Sequence, residues 1–194
     1  MELRRLSTVV ALFFSLAVTS WGGVARAVGP DESGPYLGFG VGFGFNNFED
    51  TGSVGIDPGY GFDAWGGYKF NKWVAAELQL EYLNGFKTSV SFLDLDAQAV
   101  TFGANLKAFP LASVLGHQIQ PFLLAGPGFS WFGFDAGSFG RADGLGFSAR
   151  FGGGIDFYVT EHVALQVSSS YVLTTGDVDG LDYVSLVAGI QYKF

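Results

Sequence analysis

The chain has 194 residues, of which only 14% are charged and 17% are aromatic, and it contains 30 glycines and no cysteine. Ordinary soluble domains have roughly 25% charged residues, so this composition predicts one domain with much of its surface covered by something other than water. The formal net charge of −8 argues against a nucleic-acid partner, because phosphate binding needs a basic surface. No apolar run reaches the ~18 residues that a spanning helix needs, which excludes a helical membrane protein.

The chain begins with MELRRLSTVVALFFSLAVTSWGGVARA, which has the three parts of a secretory signal peptide. Two arginines stand near its start, residues 9–18 form an apolar run, and Ala27 ends a small-x-small cleavage site. We therefore expect residues 1–27 to be a signal peptide cleaved near Ala27, and residues 28–194 to be the mature domain. Without cysteines the exported domain forms no disulfides, so a closed hydrogen-bonded sheet would have to supply its stability.

Eight segments of the mature part alternate strictly between apolar residues and small or polar residues. This period of two is that of a β-strand with two chemically different faces. The segments are residues 37–45, 60–70, 74–82, 100–108, 121–131, 147–157, 163–171 and 184–194. Their apolar faces contain no charged residue. Leu93 and Leu95 are out of phase with Val100, so the fourth strand begins either with a bulge or with an extension above the membrane.

The opposite faces carry glycines and all the charged residues of the strands. These charged residues are Asp63, Lys69, Glu77, Glu81, Lys107, Arg150, Asp156 and Lys193. In a soluble lipocalin-like barrel they would have to solubilise the whole outer surface, whereas in a membrane barrel they would line a narrow lumen. The sequence therefore predicts an all-β fold, an eight-stranded antiparallel up-and-down transmembrane β-barrel. Unpaired charges inside it would be costly, so we expect an ion-pair network that plugs the lumen.

Specific partners can be assigned within this network. Arg150 is expected to pair with Glu77, Glu81 or Asp63 across the lumen, and the bases nearer the short-turn end with Asp156. The glycine-rich stretch GFGVGFGF is interpreted as lumen wall, because neither a helix nor a lysine follows it, as a nucleotide-binding loop would require.

The predicted connections alternate in length along the chain. Asn71-Lys72 and Thr160-Glu161 are predicted as two-residue turns, and residues 110–117 as a medium one. Long loops are predicted over residues 46–59, 83–96, 132–145 and 174–180. Short periplasmic turns and long outer loops are typical of outer-membrane barrels. Aromatic residues near both rims, Phe109 and Tyr158 among them, are interpreted as interfacial girdles.

Three stretches, IQPFLLAGPGFSWF, GGGIDFYVTEHVALQVSSSYV and the closing SLVAGIQYKF, resemble parts of small OmpA/OmpX-type eight-stranded outer-membrane β-barrels. They are similar to the fifth strand, the sixth-to-seventh hairpin and the last strand of that family. The resemblance implies a monomer in the outer membrane of a Gram-negative bacterium, in contact with lipid and lipopolysaccharide. It also implies that Tyr192 and Phe194 form a signal for the barrel-assembly machinery. The peptidoglycan-binding domain of larger members is not expected here.

Residues that could carry chemistry are few. Some eight-stranded barrels resemble lipid A deacylases or acyltransferases, but His117 and His162 are predicted at the short-turn end, roughly 25 Å from the outer leaflet. The DVDGLD stretch matches only part of a calcium-binding loop. The long loops are acidic, with only Lys87 and Arg141 as basic residues, and we interpret them as a solvated cap. Whether these loops bind divalent cations stays open. The loop acids are Glu49, Asp50, Asp57, Asp94, Asp96, Asp135, Asp143, Asp177, Asp179 and Asp182.

We therefore expect a non-enzymatic, porin-like outer-membrane protein without a cofactor, in a structural or surface-interaction role. Two alternatives remain, an outer-leaflet lipid-modifying enzyme and a soluble lipocalin-like binding barrel.

Overall fold

The structure is a computed structural model, and it describes residues 31–46, 58–90, 93–112, 118–135 and 140–194. Eight strands are formed: β1 Gly34–Asn46, β2 Gly59–Asn71, β3 Val74–Val90, β4 Leu93–Ala108, β5 Ile119–Asp135, β6 Arg141–Tyr158, β7 Val163–Thr174 and β8 Tyr183–Lys193. Each strand pairs antiparallel with the next, and β1 also pairs with β8, so the sheet closes into a barrel. Within the described ranges no helix is long and apolar enough to span a membrane. The predicted signal peptide and His117 lie outside the described residues.

The two faces of each strand differ as the alternation predicts. The residues of the eight predicted apolar faces are all described, and each is exposed or half-buried on the outside of the barrel. Leu123 and Val167, for example, are 61% and 62% exposed. The eight predicted lumen charges all point inward, and none is more than 4% exposed. The predicted fold class, a closed all-β barrel with eight antiparallel strands, is confirmed.

The four central strands, β3 to β6, are longer than predicted. Most of the loop predicted over residues 83–96 is strand, because β3 continues to Val90 and β4 begins at Leu93. The loop predicted over residues 132–145 is likewise occupied by the ends of β5 and β6. These loop predictions are wrong because glycine- and aspartate-rich sequence is typical of loops, whereas inter-strand pairing here continues as far as Asp135 with Arg141.

The pairing of β4 with its neighbouring strands shows how this strand begins. The described part of β4 pairs with β3 and β5 in one continuous register, apart from a shift opposite Asn84 and Phe86 of β3. Gly85, which lies between these two residues, has a φ of 88°. The bulge is therefore on β3, and of the two alternatives for β4 the extension is the one observed.

The two ends of the barrel are called here the loop rim and the turn rim. At the loop rim β1–β2, β3–β4, β5–β6 and β7–β8 are joined; at the turn rim residues 72–73, 109–118 and 159–162 join the other pairs. The first turn lies one residue later than predicted, and the last has four residues rather than two. Asn71 Oδ1 accepts backbone hydrogen bonds from Trp73 at 2.8 Å and Val74 at 3.0 Å. Such a side-chain cap stabilises a tight turn.

Two clusters of buried apolar side chains lie inside the barrel, where the sequence predicted only glycine and polar residues. The turn-side cluster consists of Tyr36, Trp65, Ala75, Phe109, Ala112, Phe122, Leu124 and Val187. The loop-side cluster consists of Leu83, Phe86, Ala97, Ala99, Phe132, Val172, Val178 and Tyr183. The interpretation of Phe109 and Tyr158 as girdle residues is wrong, since they are 3% and 4% exposed. A position near a rim therefore did not determine whether an aromatic side chain points outward or into the lumen.

The glycine-rich face of β1 gives space to a tryptophan. The indole ring of Trp65 lies directly on Gly38, so a Cβ at Gly38 would overlap ring atoms Cε2 and Nε1. Trp65 Nε1 donates a hydrogen bond of 3.0 Å to Gln191 Oε1 on β8. These glycines therefore allow a large side chain to fill the lumen, in agreement with their interpretation as lumen wall.

Candidate functional site

The lumen holds the candidate site, and its first charged group is centred on Glu81. Arg150 Nη2 lies 3.1 Å from Glu81 Oε1, and Nη1 lies 3.3 Å from Oε2. Tyr183 donates a hydrogen bond of 2.7 Å to the same carboxylate, and Ser185 donates another. The Arg150 guanidinium also donates to Ser170 Oγ at 2.9 Å. The buried charge of Glu81 is thus compensated by side chains from β6 and β8, across the lumen from β3.

The second group surrounds Lys107 on β4. Its Nζ lies 3.4 Å from Glu77 Oε2 and 3.6 Å from Asp156 Oδ2, and it donates a hydrogen bond of 3.0 Å to Gln166 Oε1. The same nitrogen lies 3.9 Å from the centroid of the Phe122 ring, within the range of a cation–π interaction. The Tyr36 and Phe109 ring centroids lie 5.6 and 5.9 Å away, so one lysine joins two carboxylates and three aromatic rings of the turn-side cluster.

Lys69 and Lys193 lie closer to the turn rim. Lys69 Nζ donates to Gln120 Oε1 at 2.6 Å and lies 4.1 Å from the centroid of the Phe109 ring. Lys193 Nζ donates to the backbone carbonyl of Glu32 at 2.6 Å. These contacts extend the polar network to the segment that precedes β1.

Asp63 belongs to a hydrogen-bonded chain between the two charged groups. Gln79 Nε2 donates to Asp63 Oδ2 at 2.9 Å, and Asn105 Nδ2 donates to Gln79 Oε1 at 2.8 Å. Three buried oxygens accept no hydrogen bond from the described residues: Oδ1 of Asp63, Asn105 and Asp156. Buried acceptors of this kind are normally satisfied by ordered water. The lumen is therefore polar between its two apolar clusters.

A sequence model of the outer membrane protein beta-barrel domain matches residues 14–194. The chain belongs to this outer-membrane β-barrel family. This confirms the predicted resemblance and places the chain in the bacterial outer membrane. The soluble lipocalin-like alternative is therefore wrong. The exposed apolar faces of the strands are the lipid-facing surface of this outer-membrane barrel.

Solved structures of several small outer-membrane barrels are similar to this one. Neisserial surface protein A has a TM-score of 0.67 at 15% identity, covering 84% of this chain and 100% of its own. OprG from Pseudomonas aeruginosa has a TM-score of 0.61 at 16% identity, covering 83% and 96%. The attachment invasion locus protein Ail of Yersinia pestis has a TM-score of 0.56 at 16% identity, covering 84% and 99%. At these identities the similarity shows the fold alone. No curated protein sequence matches the chain.

Of the two histidines considered for catalysis, His162 is described, and it has structural contacts in this outer-membrane barrel. His162 lies at the turn rim, where its Nδ1 is 2.9 Å from the Lys193 carbonyl oxygen and its ring stacks on Tyr192. Among the described residues, no three or more histidine, aspartate or glutamate side chains are grouped as a metal site would require. The proposed assembly residues Tyr192 and Phe194 face outward, with ring centroids 5.0 Å apart.

The interpretation of the DVDGLD acids as a solvated cap is wrong for one of them. Asp182 is only 9% exposed, and it accepts hydrogen bonds from the backbone N–H of Thr174 at 2.8 Å and the hydroxyl of Tyr171 at 3.1 Å. Asp177 and Asp179 of the same stretch are exposed. The local sequence does not distinguish Asp182 from Asp177 and Asp179. Only its position beside the end of β7 makes it a buried hydrogen-bond acceptor.

Sequence reasoning also missed the apolar residues of the lumen. Leu83 and Val172 occupy inward positions in phase with Glu81 and Ser170 on their strands. Extending each predicted strand by a few residues in the same phase would have placed them inside. For Leu83 and Val172 the predicted strands ended too early, whereas Trp65, Leu124 and Val187 lie at inward positions within the predicted strands, where the alternation itself was the signal.

Proposed function

We propose that this outer-membrane barrel is a non-enzymatic protein with a structural or surface-interaction role, and that its lumen is closed to steady diffusion. The observation that carries this proposal is the order of side chains along the lumen. The Arg150–Glu81 ion pair crosses the lumen between the two apolar clusters, and the ion pairs of Lys107 lie among the residues of the turn-side cluster. An eight-stranded barrel is only just wide enough for its own side chains, so this filling leaves no continuous aqueous path.

Planar-bilayer recordings test the closed lumen. The unmodified protein should give no steady conductance, while Arg150→Ala should allow small, brief openings because it removes the side chain that joins opposite walls. Lys72→Ala, which removes an exposed turn-rim cation, is the matched control and should behave like the unmodified protein. A large, constant conductance from the unmodified protein would contradict the proposal.

The non-enzymatic part of the proposal is supported by the position of His162 at the turn rim and by its contact with a backbone carbonyl. The lipid-modifying alternative requires a change in outer-leaflet lipid. Mass spectrometry of lipid A and phospholipids from cells with and without the protein should show the same acyl chains. Loss or gain of one acyl chain with the unmodified protein would favour the enzyme instead.

We also propose that the loop rim faces the cell exterior, as in other outer-membrane barrels. The chain has no cysteine, so a single introduced cysteine is the only thiol. Ser53→Cys and Gly137→Cys should react with an impermeant maleimide on intact cells, whereas Lys72→Cys at the turn rim should react only after lysis. The reverse pattern would show that the orientation is wrong.

As partners we propose outer-membrane lipid and lipopolysaccharide around a monomer, and the barrel-assembly machinery through β8. Phe194 is 38% exposed on the lipid side, so its ring is available to a receptor. Phe194→Ala should lower the amount of heat-modifiable protein in the outer membrane more than it lowers refolding in detergent. Phe157→Ala, another lipid-facing aromatic that is 42% exposed, should affect both equally. Equal losses for Phe194→Ala would mean that Phe194 serves packing alone.

A further inference from the structure

The connection between β7 and β8, residues 175–182, folds into the mouth of the barrel at the loop rim. It contains one short 3-10 turn, Gly176–Val178. Val178 is 1% exposed and belongs to the loop-side cluster, together with Leu83, Phe86 and Tyr183. A loop that only joined two strands above the membrane would leave this side chain in solvent. Instead, Val178 anchors the loop to the lumen.

Two glycines of β6 form the seat of this connection. A Cβ at Gly144 would lie 3.0 Å from Val178 Cγ1, and one at Gly146 would lie 2.6 Å from Val178 Cγ2. The backbone N–H of Thr175 donates a hydrogen bond of 2.9 Å to the Phe147 carbonyl. The connection therefore packs directly on the backbone of β6, and a side chain at position 146, whose Cβ would lie 1.8 Å from the Thr175 carbonyl oxygen, would displace it.

Asp182 fastens the base of the connection to β7. Its Oδ1 accepts from the backbone N–H of Thr174 at 2.8 Å, and its Oδ2 accepts from Tyr171 at 3.1 Å. The Thr174 hydroxyl lies 2.7 Å from the Val178 carbonyl oxygen and 3.2 Å from Asp182 Oδ1. One carboxylate and one hydroxyl thus tie the end of β7 to both the anchor residue and the start of β8.

Sharp bends lie on both sides of the anchor. Gly176 has a φ of 81° and Gly180 a φ of 77°, a region that side-chain-bearing residues rarely adopt. We propose that residues 175–182 are a hinged lid, held down by Val178 and latched by Asp182, that covers the loop-side cluster. The lid would control access to this cluster from the loop rim. This role rests on the proposed closed lumen, but the lid can be tested separately.

The test measures how often the anchor leaves its seat. Val178→Cys introduces the only thiol of the chain, and in the refolded protein its reaction with a small maleimide should be slow, because the side chain is buried. Adding Asp182→Ala removes the latch and should accelerate labelling about tenfold or more. Asp177→Ala removes an exposed carboxylate of the same lid and should leave the rate unchanged.

A second pair of variants separates lid opening from loss of the fold. Val187→Cys, in the turn-side cluster, should stay protected with and without the latch, because it becomes accessible only when the barrel unfolds. If Asp182→Ala does not refold, Thr174→Val removes the latching hydroxyl with little change in volume and should accelerate labelling of Cys at position 178 in the same direction.

The seat can also be cross-linked. A Cβ at position 144 and a γ atom at position 178 are 3.0 Å apart, about the distance from a Cβ to the far sulfur of a disulfide. Gly144→Cys with Val178→Cys should therefore oxidise to a disulfide without unfolding the barrel. Failure of this bond to form in the folded protein would contradict the seated position of Val178.

The outcomes distinguish the lid from the closed lumen. If Val178→Cys reacts as fast as a cysteine at exposed Asp177, or if neither latch variant accelerates its reaction, the lid is overturned, even when the protein does not conduct. If the protein conducts steadily while Val178→Cys stays protected and responds to the latch, the closed lumen is wrong and the lid stands.

Discussion

Removal of the Arg150 side chain is the perturbation for which the structure makes the sharpest stability prediction. Arg150 is 4% exposed and makes two contacts with Glu81, at 3.1 and 3.3 Å, and one with Ser170 at 2.9 Å. After Arg150→Ala, Glu81 would keep its hydrogen bonds from Tyr183 and Ser185 but would lose its charged partner. An anion would then remain buried without a compensating cation.

Breaking a buried ion pair by removing one partner typically costs about 3–5 kcal/mol, mostly because the other charge stays buried. We expect Arg150→Ala to lower the free energy of unfolding by about that amount. The double variant Glu81→Gln with Arg150→Met removes both charges and should recover a large part of the loss. Lys72→Ala at the exposed turn should cost less than about 1 kcal/mol, as surface charges usually do.

The assay is reversible urea unfolding of protein refolded into lipid vesicles, followed by tryptophan fluorescence and by heat-modifiable migration in gels. Trp65 lies inside the lumen beside the polar network, so its emission reports loss of the closed barrel. A loss below about 1 kcal/mol for Arg150→Ala, or a double variant that is no more stable than the single one, would refute the reasoning that Glu81 depends on Arg150.

Two further predictions concern the wall of the barrel. Leu78→Arg places a charge on the lipid face near the midplane and should lower the free energy of unfolding by about 2–4 kcal/mol. Val74→Arg, on the same face of β3 but at the turn rim, should lower it by only about 0–1 kcal/mol. Equal losses in unfolding titrations would mean that the depth assignment is wrong. Gly38→Ala forces a methyl group into the Trp65 ring and should cost about 1–3 kcal/mol. Gly103→Ala, where the nearest atom would be 3.6 Å away, should change the free energy of unfolding little, and a similar cost at both glycines would argue against the packing of Trp65.

Much of the fold follows from local sequence alone. The alternation of apolar and polar residues has a period that each strand shows independently of its neighbours, so it predicts the number of strands and the face that each residue occupies. Leu123 on the lipid side and Lys107 in the lumen are both correctly placed by this rule. Because no charged residue interrupts the apolar faces, the rule also predicts which face meets lipid.

The ends of the strands could not be predicted in the same way. The hairpin from β3 to β4 runs through Asn84 and Gly85, residues that locally favour a turn. The strand continues there because the neighbouring strand supplies hydrogen-bond partners and because Phe86 packs in the loop-side cluster inside the lumen. The energy of pairing between strands outweighs the local preference for a turn. This pairing energy cannot be seen in the local sequence of one strand.

The sequence by itself determined that eight charged residues face inward and that their charges must be compensated there. Only the tertiary structure decided that Arg150 meets Glu81, that Lys107 joins Glu77 and Asp156, and that Asp182 turns from the surface to the end of β7. The partners of Arg150 and Lys107 belong to strands that are distant in sequence, whereas Asp182 is close in sequence to Thr174 and reaches it through the fold of the β7–β8 connection. Their contacts depend on strand register and barrel closure, which bring opposite walls within reach of one side chain, and local periodicity contains no information about that distance.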